Sequence, residues 1–132
     1  MKKIWFDSDY IYAESTDGNV LKQSLLWYPA LKSASDEERA AYTMGFDGVH
    51  WRGLDVDISF ESFSYEDAEP TALQRFFLTH KELNLAEFAK RIGLNASLLR
   101  NYINGFKKPS PERETMIMEA IKALGREYLQ VA

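Results

Sequence analysis

The 132-residue chain contains no cysteine. That removes disulfides, thiolate chemistry and zinc-finger ligand sets together. No apolar run approaches the roughly 18 residues of a membrane span, and no charged-then-apolar stretch at the N-terminus reads as a leader, so a cytoplasmic location is expected. Gly-rich phosphate loops are missing. No spacing of Ser, Asp and His matches a known catalytic arrangement, so neither an enzyme nor a cofactor is expected. What is there is ordinary for a globular protein, with 45% apolar and 27% charged residues.

A net charge of −4 by itself argues against a nucleic-acid binder. Its distribution reverses that impression. Residues 1–69 hold 6 Lys and Arg against 14 Asp and Glu, a net of −8. Residues 70–132 hold 10 against 6, a net of +4. An acidic half joined to a basic half is the asymmetry expected when only one module meets phosphate.

The first half alternates in strand fashion. Lys3 to Phe6 and Tyr10 to Ala13 are rich in β-branched and aromatic residues, with Asp7-Ser8-Asp9 as the turn between them. Asp17-Gly18 is a hairpin signal and Val20 to Leu25 the returning strand. After a break at Pro29, Ser35 caps a short helix, Asp36 to Tyr42, with three acidic residues in its first turn. A second Asp-Gly, Asp47-Gly48, joins Tyr42 to Phe46 with Val49 to Trp51, and Ile58 to Phe63 is expected as a short helical or irregular segment. Ser64 to Thr71 lacks periodicity and reads as a linker. Domains are therefore expected at 1–64 and 70–132.

In the second half the period changes from two to 3.6. Leu73, Phe76, Phe77 and His80 share one helical face. Leu85, Phe88, Ala89 and Ile92 share the next, opened by Asn84 as N-cap with Glu87 completing a capping box. Gly93 stops that helix; Asn95 opens another, Ala96 to Asn104, which Gly105 ends. Ser110 and Pro111 start a fourth helix, with Met116, Ile117, Ala120, Ile121, Leu124 and Tyr128 on its inner face.

The stretch LAEFAKRIGLNASLLRNYINGFKKPS, Leu85 to Ser110, resembles the helix-turn-helix of lambda-repressor-like (Cro-like) regulators. Ala89 is small where two helices cross, and Gly93 suits the tight turn between them. Leu94, Leu99 and Tyr102 are expected inward, leaving Ala96, Ser97, Leu98, Arg100, Asn101 and Asn104 outward. The resemblance implies double-stranded DNA as partner. Ala96, Ser97, Arg100 and Asn101 would contact bases, Arg100 suiting guanine and Asn101 adenine. Asn104, Lys107 and Lys108 would contact phosphate. One departure is Leu85, where the family often carries a phosphate-contacting Gln; another is the large apolar Leu98 on the presumed groove face.

Two further resemblances, taken together with this one, cover nearly the whole chain. NASLLRNYINGFKKPSPE with ALGREYLQV is similar to the DNA-binding part of HicB-type antitoxins. IWFDSDYIY with DGVHWRGLDVDISFESF resembles a small bacterial, antitoxin-like domain family of unknown function, although Arg52-Gly53 stands where that family commonly has Pro-Glu. His50, Asp55 and Asp57 make a tempting metal or acid/base set, but a His beside Trp51 on a strand is more often a packed, hydrogen-bonded side chain. No metal is expected.

These readings converge on an α+β protein: a small antiparallel-sheet N-terminal domain with one helix, then an all-α lambda-repressor-like helix-turn-helix domain. The expected function is sequence-specific DNA binding by a homodimeric transcriptional repressor, of the antitoxin autoregulator type, with a toxin-like protein as the possible partner of the first domain. The alternative is a non-enzymatic interaction module whose basic half docks an acidic partner.

Overall fold

The computed structural model describes residues 3–131. It is a mixed α and β structure that divides into two compact units, Met1–Pro70 and Thr71–Ala132. Among the described residues, no helix is long and apolar enough to cross a membrane.

The first unit begins with an antiparallel meander of β1 (Lys3–Phe6), β2 (Tyr10–Glu14) and β3 (Val20–Ser24). Asp7 shapes the first turn, one carboxylate oxygen accepting from the N–H groups of Asp9 at 2.8 Å and Tyr10 at 2.7 Å. The second turn uses Gly18 at φ +89°, a backbone state that residues with a Cβ seldom adopt. Strand alternation buries Ile4, Ile11 and Ala13. The opposite face carries Trp5 and Tyr12, register partners whose rings stack with centroids 5.5 Å apart.

Two short helices follow, α1 (Pro29–Lys32) and α2 (Asp36–Ala40). Ser35 and Glu38 form a full capping box on α2. The helix stops short of the expected Tyr42, because the chain turns into a strand at Thr43.

A second antiparallel sheet, β4 (Thr43–Met44), β5 (Gly48–Trp51) and β6 (Val56–Ser59), corrects the expectation of a single sheet. Val-Asp-Ile-Ser alternates as a strand should, but its four residues are too few to announce it beside the expected irregular segment. Asp55, in the left-handed region at φ 53°, reverses the chain before β6. Gly48 also departs from its expected turn role. It lies within β5, where an added Cβ would sit 2.5 Å from the Ile58 carbonyl oxygen, so glycine is required there for close backbone approach.

Leu25, Leu31, Val49, Trp51, Ile58 and Phe63 complete the core with Ile4, Ile11 and Ala13. Trp51 satisfies its buried indole N–H on the Arg39 carbonyl at 2.9 Å. The segment read as a linker is ordered on this unit. Glu66–Ala68 is a 3-10 turn, the Asp67 carbonyl accepts from the Trp27 indole at 2.9 Å, and Tyr10 donates to Glu69 at 3.0 Å.

The second unit consists of α3 (Ala72–Thr79), α4 (Leu85–Arg91), α5 (Ala96–Ile103) and α6 (Pro111–Leu129). Each begins at a side-chain cap: Thr71, Asn84, Asn95 and Ser110 accept from backbone N–H groups of the first turn. Thr71 with Gln74 makes a reciprocal box that the sequence reading did not anticipate. The box expected at Asn84 is only half made, since Glu87 donates its N–H to Asn84 without its carboxylate returning to the cap. Leu73, Phe77, Phe88, Ala89, Leu99, Tyr102, Ile103 and Ile117 form the core. Met116 and Tyr128, expected inward on α6, are exposed, at 37% and 60%. His80, expected at the core edge, is exposed as well, its ring stacked on Phe76.

Candidate nucleic-acid interface

The turn between α4 and α5 owes its shape to Gly93 at φ +75°. The Gly93 N–H donates to the Lys90 carbonyl at 3.2 Å and the Leu94 N–H to the Ala89 carbonyl at 2.8 Å. This pair of bonds is the Schellman arrangement, and it satisfies two carbonyls that the helix end leaves open. Ala89, fully buried, gives α4 a side without bulk at this point. Two residues on, the Asn95 side chain accepts from the Ser97 N–H at 2.8 Å and starts α5.

Burial divides α5 lengthwise. Leu99, Tyr102 and Ile103 are buried, and Leu98 is half-buried against the same core. Ser97, Arg100, Asn101 and Asn104 are exposed. Their spacing is i, i+3, i+4, i+7, which places them on one stripe of the helix. Two expectations change here. Leu98 belongs to the packed side, because the buried face extends across both 98/102 and 99/103 instead of the narrower set expected. Ala96 is half-buried and packs toward the core at the start of the helix.

The turn after α5 is held by Gly105 at φ +81° and by the Lys107 N–H donating to the Asn101 carbonyl at 3.2 Å. Lys107 and Lys108 are exposed, and among the described residues neither they nor Arg100 enter an ion pair. Arg91 is engaged differently, paired with Glu127.

Arg100 and Asn104 also line a cleft of about 240 Å³ together with His80, Lys81 and Leu85. Leu85 is half-buried, on a cleft that two cationic side chains also line. Lys81 lies outside the contact set that the sequence implies. It lies in the α3–α4 connection, outside the motif, and only the fold brings it to the cleft that Arg100 also lines. Phe106 also lies outside the expected contact set; 81% exposed, it stands between Gly105 and the two lysines. A bulky apolar residue in a polar turn was the available signal.

In the first unit, His50 and Asp57 face each other across β5 and β6, Nδ1 to Oδ1 at 2.6 Å. Asp55 is taken up in the chain reversal, and no group of three or more His, Cys, Asp or Glu able to hold a metal ion occurs among the described residues. The hydrogen bonds of Asp7 alter its acidity: the Tyr12 hydroxyl, 2.5 Å away, is the main cause holding that carboxyl below its ordinary value.

The molecule therefore combines a two-sheet α and β module with a module of four short-linked helices that presents a polar, cationic stripe. Residues 1–69 match the family described as Protein of unknown function (DUF2442), just over half of the chain. The chain belongs to that family. No curated protein and no solved structure matches it. The family match ends before Leu85 to Ser110 and carries no activity of its own.

Proposed function

We propose that the protein binds double-stranded DNA sequence-specifically through α4, the Gly93 turn and α5, a lambda-repressor-like helix-turn-helix, and that it represses transcription as an antitoxin-type autoregulator. The observation that carries this reading is the exposed stripe Ser97, Arg100, Asn101, Asn104, backed by a buried face and followed by the unpaired Lys107 and Lys108. Arg100 would grip guanine O6 and N7, and Asn101 adenine N6 and N7, each through two hydrogen bonds. Ser97, near the helix N-terminus, is small enough to admit a base edge, with the methyl of Ala96 at the margin. Asn104, Lys107 and Lys108 would hold phosphate, joined by Lys81, and so set the register of the helix.

α5 has 8 residues and spans about 12 Å, too short to read a long site alone. A homodimer on two half-sites about one duplex turn apart is the expected working form. The exposed Tyr128 and Leu129 at the end of α6 offer apolar surface to a second copy. The acidic first unit, repelled by phosphate, would hold a protein partner such as a toxin.

The test is selection of bound sequences from a randomised duplex pool, followed by titration at several salt concentrations. Wild type should enrich a two-fold site and lose affinity steeply with salt. Arg100→Ala should relax preference at one base position, costing about 1–3 kcal/mol there, whereas Lys107→Ala should weaken all sequences alike. Equal, weak binding of every duplex by wild type and Arg100→Ala would instead favour an interaction module that docks an acidic protein.

A further inference from the structure

The geometry points to Phe106 as an apolar DNA-backbone contact, its ring packing on the deoxyribose face beside the phosphates that Lys107 and Lys108 hold; this rests on the DNA reading above. Phe106 is 81% exposed, although nearly every other aromatic of the second unit is drawn into or against its core. Its position is fixed by neighbouring backbone. Gly105 takes the left-handed state at φ +81°, and the following Lys107 N–H returns to the Asn101 carbonyl at 3.2 Å. The ring is therefore presented from a closed turn immediately after the exposed stripe of α5.

The neighbourhood selects the occupant. Lys107 and Lys108 follow Phe106 directly, and Arg100 and Asn104 precede it by six and two residues; no carboxylate lies between Asn95 and Pro111. An exposed ring in a segment with three cations and no anion suits a surface that alternates negative charge with apolar hydrocarbon. A nucleic-acid backbone is built that way, phosphate then sugar. The two kinds of residue would then divide the affinity. The lysines supply the counterion-release part, which falls with salt, and the ring supplies a part driven by removal of apolar surface from water, which does not.

That division is the test. A labelled mixed-sequence duplex is titrated with the full-length protein, with Phe106→Ala, with Phe106→Leu and with Lys107→Ala/Lys108→Ala, each at three NaCl concentrations. Phe106→Ala should bind about tenfold more weakly at every salt concentration with an unchanged slope of log affinity against log salt. Phe106→Leu should recover most of the loss. The double lysine variant should instead flatten the slope by roughly 2. Far-ultraviolet circular dichroism identical to wild type would show the variants folded. Wild-type binding with no loss in Phe106→Ala would overturn this role while leaving the DNA reading standing. No duplex binding by wild type would overturn both.

Discussion

Replacing Gly93 by alanine tests whether backbone conformation alone holds α4 and α5 at their angle. A Cβ built on Gly93 meets nothing within 4 Å, so the substitution introduces no clash with the rest of the protein. The cost is confined to φ +75°, where an L side chain crowds its own carbonyl by about 1–2 kcal/mol. Alanine also restricts the unfolded chain, which returns roughly 0.4–1 kcal/mol. The expected net loss is about 1 kcal/mol, equivalent to a melting point about 4–8 °C lower for a unit of this size. Thermal unfolding followed by far-ultraviolet circular dichroism reports it, since the signal is weighted toward helices. Gly93→Asn should lose less than Gly93→Ala, because asparagine tolerates the left-handed region. If alanine melted with wild type, or asparagine proved no better than alanine, the left-handed turn would not be what the helix pair depends on.

Gly48→Ala should be costly for the opposite reason: its Cβ would press on the Ile58 carbonyl, so β5 and β6 must separate, and loss of amide protection in both strands by hydrogen exchange would register it. Leu99→Ala, at a fully buried position, should cost about 2–5 kcal/mol in denaturant unfolding, against clearly less for the half-buried Leu98→Ala; equal losses would contradict the lengthwise division of α5. Asp7, Asp17 and Glu38 are each held below their ordinary pKa, by the Tyr12 hydroxyl, the Ser15 hydroxyl and the Ser35 backbone N–H respectively. A carboxyl with a folded pKa below its unfolded one stabilises fully above the unfolded value and stops doing so as pH falls through the folded one, so the first unit should weaken below about pH 4 and not near neutrality. Tyr12→Phe removes the largest cause at Asp7, whose carboxyl should then titrate at higher pH by NMR; an unmoved titration would refute the assignment.

Local chemistry was legible because it acts over a few residues. Asp7, Ser35, Asn84, Asn95 and Ser110 each occupy the cap or turn role that their residue type and neighbours imply, and the glycines at 18, 93 and 105 take the positive φ that a chain reversal needs. Apolar periodicity likewise marked Leu73, Phe77, Phe88, Ala89, Leu99, Tyr102 and Ile117 as inner positions.

Other features depend on what packs from elsewhere in the chain. Gly48 reads as a turn residue beside Asp47, and only the approach of Ile58 makes it a contact glycine. Four residues of alternation could not declare β6 until β5 stood beside it. The side chains of α5 have fixed directions around the helix, but the width of its buried face was set by the helices crossing it, which drew in Leu98 and left Ser97, Arg100, Asn101 and Asn104 in solvent. Lys81 joins Arg100 for the same reason, across a cleft that no spacing along the chain encodes. Caps and turns are short-range energies, whereas burial is a property of neighbours distant in sequence.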